Sequence, residues 1–249
     1  MKKTVLITGA TSGIGLATAR AFHDQGFRLI ITGRRAEILD ALTEEFTAED
    51  CLAIQMDVRD PEQCRMLPYR LPQEWQDIDV LVNNAGLALG LEPVYEGDPS
   101  DWSTMVDTNI KGLLDVTRAL VPGMIARGHG HIINIGSVAG DAAYAGGAVY
   151  CATKAAVKAI TDGLRIDLVD TPLRVTLIKP GLVETPFSTV RFHGDSERAA
   201  KVYTGIEALQ AEDIADTIVY AAMAPAHVQI AEMLILATRQ ANGSLIVRH

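Results

Sequence analysis

The chain has 249 residues, 48% hydrophobic and 21% charged, and its formal net charge at pH 7 is -9. This length fits one large α/β domain or two small ones, and no apolar run is long enough to suggest a membrane span. The negative charge argues against nucleic-acid binding, because contact with a phosphate backbone needs a basic face.

The cysteines and the first residues bear on the cellular compartment. Cys51, Cys64 and Cys151 are odd in number and lack CxxC spacing, so neither a disulfide framework nor a metal site is predicted. The apolar run that follows Lys3 ends at Thr8, too early for a signal peptide. We therefore predict a cytoplasmic protein without metal, membrane or nucleic-acid partners.

Short β-branched segments alternate with amphipathic segments along the chain. The predicted strands are 4–8, 28–32, 52–56, 79–83, 131–136, 174–180 and 233–237, and the predicted helices are 14–25, 35–46, 101–126, 148–169 and 211–223. This alternation predicts a single α/β domain over 1–249, with a seven-stranded parallel sheet and helices on both faces. Segment 182–210 is too long for a simple connection and is predicted to be a substrate lid.

The first strand runs into a glycine-rich loop, TGATSGIG, and then into a helix. Glycines at this point allow a tight turn and a close approach of the backbone, and the helix N-terminus offers free N–H groups to a pyrophosphate. The predicted nucleotide-binding residues here are Gly9, Thr11, Ser12, Gly13, Ile14 and Gly15. The alternative is a turn that only lets the helix pack on the sheet, and a P-loop is excluded because no Lys-Ser/Thr pair follows.

The second predicted strand ends in ITGRR, at the position where a carboxylate would hold the ribose of NAD. Gly33 removes that carboxylate, and Arg34 and Arg35 supply guanidinium groups that bind a 2′-phosphate well. The residues therefore predict NADP as the cofactor. Two solvated arginines at the start of a helix are the alternative, which the positive end of the helix dipole disfavours unless an anion binds there.

Three polar residues suggest acid and base chemistry. Ser137 follows the fifth strand, and Tyr150 and Lys154 are four residues apart on a predicted helix, so they share one face. A nearby ammonium group is expected to lower the pKa of a phenol by about three units, enough for proton transfer near neutral pH. Ser137 is predicted to orient the substrate oxygen. An ordinary amphipathic Tyr–Lys pair remains the alternative.

Six stretches together resemble the motif set of the short-chain dehydrogenase/reductase family. They are TGATSGIG at 8–15, NNAG at 83–86, Asn109, Ser137, YCATK at 150–154 and PGLVET at 180–185. The resemblance spans nearly the whole chain and implies a Rossmann-type, doubly wound domain, usually assembled as a tetramer. It also implies that hydride passes between the substrate carbon and the nicotinamide.

The resemblance assigns expected roles to individual residues. Tyr150 is the acid/base, Lys154 lowers its pKa and binds the nicotinamide ribose, and Asn109 holds a water of the proton relay. The remaining implied cofactor contacts are Asp57 and Val58 near the adenine, Asn83, Asn84, Ala85 and Gly86 near the adenosine, and Pro180, Gly181, Val183 and Thr185. The alternatives are purely structural: an Asx turn at Asp57, and side-chain amides of Asn83 and Asn84 that only stabilise the end of the strand.

Four longer stretches resemble the branch of NADP-dependent 3-hydroxy acid dehydrogenases. They are 74–90, 131–140, 144–155 and 187–195. Members of that branch act on serine, allo-threonine, 3-hydroxypropionate and similar acids. A substrate carboxylate needs a cation, and Arg191 in the predicted lid is the candidate, with a solvated surface arginine as the alternative.

The sequence differs from this branch at two places, and it also allows two other functions. Lys179 stands where the resemblance implies an acidic residue and is expected at the pocket edge, and the turn at 180–186 is one residue shorter than the resemblance implies. The apolar lid residues also fit a carbonyl or diketone reductase of lipophilic substrates. A nucleotide-sensing protein without turnover is a third possibility, which the intact catalytic residues disfavour.

Overall fold

The computed structural model describes residues 2–249 and contains one seven-stranded parallel sheet. The strands are β1 (Thr4–Thr8), β2 (Arg28–Gly33), β3 (Cys51–Gln55), β4 (Val80–Asn83), β5 (His131–Ile135), β6 (Arg174–Pro180) and β9 (Glu232–Ile235). Their order in the sheet is β3-β2-β1-β4-β5-β6-β9. The order therefore reverses between β1 and β4, the point at which doubly wound sheets open a crevice for ligands.

Helices cover both faces of the sheet. They are α1 (Gly13–Asp24), α2 (Ala36–Phe46), α3 (Pro61–Arg70), α4 (Pro99–Val106), α5 (Leu113–Arg127), α6 (Ala148–Asp167) and α9 (Ala211–Met223). The apolar faces of α1, α2 and α9 pack on one side of the sheet, and those of α3, α5 and α6 pack on the other. The predicted doubly wound α/β fold is present.

Period-two alternation along β1 divides the strand between two apolar cores. Val5 and Ile7 point into the core beneath α1, and Leu6 points into the core beneath α3 and α5. All three side chains are fully buried, as is usual for a strand covered by helices on both faces.

The long predicted helix at 101–126 has a different internal structure. A π-helical turn, Asp107–Gly112, separates α4 from α5, so the helical run is continuous but its register shifts once. The prediction did not include α3, which is mostly polar and contains Pro68. Its start was nevertheless readable, because the side chain of Asp60 caps the helix and Pro61 occupies the first turn.

Segment 182–210 folds into short elements above the carboxyl ends of the strands. It contains β7 (Val183–Glu184), α7 (Phe187–Arg191), α8 (Ser196–Lys201) and β8 (Leu209–Gln210). The C-terminal residues return to this segment, where the main-chain N–H of His249 donates to the carbonyl of Gly205. We call segment 182–210 the lid; its movement remains a prediction.

Within residues 2–249, no helix is long and apolar enough to cross a membrane. The same residues contain no cluster of three or more His, Cys, Asp or Glu side chains that could hold a metal ion. All three cysteines are buried and free.

The core beneath α1 offers a test of the packing. Phe22 is fully buried, with its ring centroid 4.9 Å from that of Phe27. We expect Phe22→Ala to lower the free energy of unfolding by about 3–5 kcal/mol, because the cavity cannot close fully. Urea denaturation measures the change. Tyr69→Ala is the control, since Tyr69 is 76% exposed and its loss should change stability little; equal losses would contradict the described core.

Candidate active site

One large cavity opens at the carboxyl ends of the parallel strands, with a volume of about 590 Å³. The loop after β1, the ends of β2 and β4, the start of α6 and the lid all line it. It therefore lies where the strand order reverses, and its volume is in the range of ordinary ligand sites.

The loop between β1 and α1 is shaped by glycines and held by Asn84. Gly9 and Gly13 have φ of 68° and 53°, a region that side chains disfavour. The side-chain amide of Asn84 donates to the carbonyls of Thr8 and Gly9 at 2.8 and 3.1 Å. A Cβ at Gly15 would collide with the Gly9 carbonyl and the Asn84 amide, so only glycine permits this approach.

The start of α1 is suited to an anion. Ser12 precedes the helix with no hydrogen bond from its side chain to the first turn. The N–H groups of that turn are thus left without a side-chain cap, beside a cavity that the glycines keep open. A pyrophosphate fits such a site because it accepts hydrogen bonds and favours the positive end of the helix dipole.

The two arginines after β2 are held differently. Nη2 of Arg35 donates to the hydroxyls of Thr11 and Ser12 at 2.7 and 3.0 Å, which ties α2 to the glycine loop. Arg34 is exposed at the cavity. A Cβ at Gly33 would lie 2.6 Å from Cγ2 of Thr11, so a carboxylate side chain could not occupy this position without displacing Thr11.

Ser137, Tyr150 and Lys154 meet at the inner wall of the cavity. Tyr150 and Lys154 are both buried, and Nζ of Lys154 lies 6.0 Å from the Tyr150 ring centroid and donates to the carbonyl of Ile135 at 2.8 Å. The hydroxyl of Ser137 accepts from the main-chain N–H of Ala139 at 3.1 Å. Phe187 of the lid packs edge-on against Tyr150, with ring centroids 5.6 Å apart.

Burial shifts the pKa values of Tyr150 and Lys154. Burial raises the pKa of Tyr150, and the nearby Tyr144 phenol adds to the rise, whereas Ser137 and Arg191 oppose it. The pKa of Tyr150 is therefore raised, whereas the sequence predicted that Lys154 would lower it. The Lys154 ammonium donates to the Ile135 carbonyl. Burial also lowers the pKa of Lys154 from 10.5 to about 8. The protein alone therefore keeps the Tyr150 phenol protonated at neutral pH.

Asn109 lies in the π-helical turn, behind the wall that Ser137, Tyr150 and Lys154 form. Its side-chain oxygen accepts from the N–H of Leu87 at 2.9 Å, and its amide donates to the Leu87 carbonyl and the Thr153 hydroxyl. A Cβ at Gly86 would lie 3.3 Å from Oδ1 of Asn109 and 3.5 Å from Nζ of Lys154. Gly86 thus leaves a small space between the amide and the ammonium group.

Arg191 reaches from the lid toward Tyr150. Its Nε donates to the Gly90 carbonyl at 3.0 Å and its Nη1 to the Tyr144 hydroxyl at 2.9 Å. The guanidinium carbon lies 5.8 Å from the Tyr150 ring centroid. Nη2 makes no hydrogen bond to any residue between 2 and 249, so one nitrogen of this guanidinium is left for an anion.

A family model described as short chain dehydrogenase matches residues 3–195. The chain belongs to this family. It is 51% identical over 244 residues to the NADP-dependent 3-hydroxy acid dehydrogenase YdfG of Salmonella typhi, covering 98% of both chains. It is 47% identical over 249 residues to sulfoacetaldehyde reductase 2 of Chromohalobacter salexigens, covering 99% of both. The solved closed form of serine dehydrogenase complexed with NADP+ matches with a TM-score of 0.95, at 48% identity and 99% coverage of both chains.

These similarities confirm the predicted family, its Rossmann-type fold and the resemblance to the 3-hydroxy acid branch. Most of the predicted site residues of this short chain dehydrogenase line the cavity. The lining includes Gly9, Thr11, Ser12, Gly13, Ile14, Arg34, Arg35, Asp57, Val58, Asn84, Ala85, Gly86, Ser137, Tyr150, Lys154, Pro180, Gly181, Val183, Thr185 and Arg191.

Three predicted residues lie outside the lining: Gly15, Asn83 and Asn109. Gly15 lies beneath the loop, and Asn109 lies behind Gly86. The amide of Asn83 donates to Thr117 and Asn134 in a buried network between β4, β5 and α5. Its neighbour Asn84, by contrast, faces the glycine loop.

Three further residues line the cavity of this dehydrogenase without having been predicted from the sequence: Arg59, Tyr144 and Gln240. Gln240 accepts a hydrogen bond from the N–H of Leu182 at 2.8 Å and so fixes the start of the lid. Only Tyr144 had a sequence signal, because it lies in a stretch shared with the 3-hydroxy acid branch.

The expected position of Lys179 at the pocket edge is wrong. Its side chain is 6% exposed, does not line the cavity, and pairs with Asp141 and Glu232. A buried ammonium must be paired, and these two carboxylates compensate it away from the cavity. The charge of Lys179 is therefore not presented to a substrate.

Lys154 of this dehydrogenase is predicted to cost stability. Below about pH 8 the ammonium is charged in both the folded and the unfolded chain, so its burial lowers the free energy of unfolding by the full amount. Between pH 8 and 10.5 the unfolded chain binds more protons than the folded chain, so the free energy of unfolding rises and this loss disappears. We expect Lys154→Met to raise the free energy of unfolding by about 2 kcal/mol at pH 7. This gain should shrink by pH 10.

Urea denaturation at both pH values measures the gain. Lys158→Met is the matched control, because Lys158 lies on the same helix with its side chain 38% exposed and its pKa raised mainly by Asp162. A gain of the same size at pH 7 and pH 10 would contradict the assigned pKa shift.

Proposed function

We propose that this short chain dehydrogenase is an NADP-dependent oxidoreductase of short 3-hydroxy acids. It transfers a hydride between NADP(H) and a substrate such as serine, allo-threonine or 3-hydroxypropionate, or the corresponding semialdehyde or keto acid. The observation that carries the proposal is the free Nη2 of Arg191, whose guanidinium carbon lies 5.8 Å from the Tyr150 ring centroid in the same cavity. The names of the similar proteins support the same substrate class.

The cofactor end of the cavity is formed by the glycine loop and the residues after β2. The uncapped first turn of α1 offers N–H groups to the pyrophosphate, and Arg34 and Arg35 offer cations to a 2′-phosphate. Gly33 and Thr11 exclude the carboxylate that would favour NAD. When bound, NADP supplies or accepts the hydride at its nicotinamide.

Proton transfer is assigned to Tyr150. Because burial raises its pKa, the phenol is protonated at neutral pH and is ready to donate to the carbonyl oxygen during reduction. Ser137 donates a hydrogen bond to the same oxygen, which stabilises the charge that develops there. Lys154 and Asn109, on either side of Gly86, are proposed to return the proton through a water.

The substrate carboxylate is assigned to the lid. Arg191 lines the cavity, and its hydrogen bonds to Gly90 and Tyr144 hold the guanidinium plane in place. Because Nε and Nη1 already donate to Gly90 and Tyr144, Nη2 is left to donate a charge-assisted hydrogen bond to the carboxylate, and a held guanidinium orients the acid. The carbon to be oxidised then lies between Arg191 and Tyr150.

The lid also supports a second candidate, reduction of lipophilic carbonyl compounds or diketones. Five of its apolar residues line the cavity: Leu182, Val183, Phe187, Val190 and Phe192. A third reading, nucleotide sensing without turnover, gives no reason for the buried Tyr150 and Lys154 pair, whose ammonium is costly to bury.

We also propose a cytoplasmic homotetramer. Exposed apolar residues on α5, on α6 and just after α6 support burial of these helices against further copies: Leu114, Ile125, Ile166 and Val169 are 43%, 44%, 71% and 82% exposed. The three free cysteines fit a reducing compartment. Sedimentation equilibrium tests the tetramer, and a monomer at micromolar concentration would contradict it.

The substrate class is tested by turnover. We expect NADP-linked oxidation of serine, allo-threonine or 3-hydroxypropionate, with kcat/KM above that for neutral alcohols of the same length. Sulfoacetaldehyde tests whether a sulfonate replaces the carboxylate, and a diketone panel tests the lipophilic alternative. No oxidation of any of the three acids would refute the proposal, and faster reduction of diketones than of semialdehydes would favour the alternative.

Tyr150→Phe separates chemistry from binding. Removing the phenol oxygen should lower kcat by about 10²–10⁴-fold, because the proton donor is lost. The Kd for NADPH, measured by calorimetry, should stay within about twofold, since the ring and its contact with Phe187 remain. Tyr69→Phe, at an exposed tyrosine, is the control, and retained turnover in Tyr150→Phe would contradict the assigned role.

Arg191→Leu tests recognition of the acid. The KM for 3-hydroxypropionate should rise about 10–100-fold, the value of a charge-assisted pair, while the KM for a neutral alcohol of the same length should change little. Arg198→Leu is the matched control, because this lid arginine is exposed and pairs weakly with Glu92 at 3.7 Å. An equal rise for the neutral substrate would show that Arg191 only supports the lid.

A further inference from the structure

Asp57 places a carboxylate at the end of the cavity that Arg34 and Arg35 line, and Arg59 holds that carboxylate. Nε of Arg59 lies 3.1 and 3.0 Å from the two carboxylate oxygens, and its Nη2 lies 2.6 Å from Oδ2. The main-chain N–H of Arg59 also donates to Oδ1 at 3.0 Å. Both oxygens of Asp57 are therefore occupied by a residue only two positions away, and the negative charge is balanced where it stands.

Arg34 lies within electrostatic range of the same carboxylate but does not pair with it. The cation helps to lower the pKa of Asp57, although less than Arg59 does. Within residues 2–249 the guanidinium of Arg34 makes neither a salt bridge nor a hydrogen bond, whereas Arg35 is committed to Thr11 and Ser12. The donors of Arg34 therefore remain available for a ligand.

A free carboxylate at Asp57 would act against a phosphate ligand in two ways. It would repel the phosphate, much as an acidic residue at the end of the second strand does in NAD-binding proteins. It would also compete for Arg34, because the Arg34 cation already acts on the Asp57 carboxylate through its charge. Arg59, with its side chain 37% exposed, removes both effects and lies in the cavity wall.

We propose that Arg59 helps to set the preference for NADP over NAD by holding the Asp57 carboxylate, which keeps Arg34 free for the 2′-phosphate. Arg59 is thus a positioning residue that acts through Asp57 and not a direct phosphate ligand. This inference rests on the proposed function, which places the 2′-phosphate at Arg34 and Arg35.

Calorimetric binding tests the inference without turnover. The ligands are NADP+ and NAD+, together with adenosine 2′,5′-bisphosphate and adenosine 5′-monophosphate, which probe the adenosine end alone. In Arg59→Gln we expect the Kd for both 2′-phosphorylated ligands to rise about tenfold, or about 1.4 kcal/mol. The Kd for NAD+ and the monophosphate should change by less than about threefold, since they lack the repelled phosphate.

The second substitution distinguishes an indirect role from a direct one. Asp57→Asn in the Arg59→Gln background removes the freed charge, so the preference for the 2′-phosphate should return to within about threefold of the parent value. Arg65→Gln is the matched control, because Arg65 forms a similar short-range pair with Glu62 on α3 but does not line the cavity. If Arg59→Gln unfolds, Arg59→Met takes its place, because methionine keeps the aliphatic stem. The same rise of about tenfold in the Kd for the 2′-phosphorylated ligands is then expected.

Four results would overturn the inference. Equal losses for phosphorylated and unphosphorylated ligands would show a structural role, and failure of Asp57→Asn to restore the preference would show that Arg59 binds the phosphate itself. If the parent protein does not prefer NADP+, the cofactor assignment fails together with the inference. If the parent prefers NADP+ and Arg59→Gln leaves that preference unchanged, only the inference fails.

Discussion

The contact between Asn84 and the glycine loop holds together the two strands between which the cavity opens. The amide of Asn84 donates to the carbonyls of Thr8 and Gly9, and the hydroxyl of Thr8 accepts from the N–H groups of Asn84 and Ala85. Backbone groups at the end of a sheet have no further strand to pair with, so side chains must satisfy them. This contact pairs the groups and keeps Gly9 and Gly15 close enough for a nucleotide to approach the backbone.

The cavity concentrates cations in a chain whose net charge is negative. Each is held by a different means: Arg35 by two hydroxyls of the glycine loop, Lys154 by the Ile135 carbonyl, and Arg191 by Gly90 and Tyr144. A held cation loses little freedom when an anion binds, so more of its attraction is available for binding. Arg34 is the exception, and the pairing of Asp57 with Arg59 keeps it from being neutralised.

Much of the fold was predictable because it depends on local repetition. Strands buried on both faces are apolar throughout, and their ends were predicted to within about two residues of those observed. The failures had physical causes as well. The polar α3 shows little amphipathic pattern, and the π-helical turn before α5 leaves no trace in hydrophobic spacing. Adjacent amides such as Asn83 and Asn84 looked equivalent, although the turn after β4 sends them to different neighbours.

The sequence by itself determined the features that arise within a few residues. These are the turn that needs Gly9 and Gly13, the shared helical face of Tyr150 and Lys154, and the absence of a carboxylate at Gly33. Only the tertiary structure decided that Arg191 approaches Tyr150, that Lys179 is buried behind the site, and that burial raises the pKa of Tyr150. Spacing specifies which side chains share a face, whereas solvation and charge pairing depend on segments that folding brings together from distant parts of the chain.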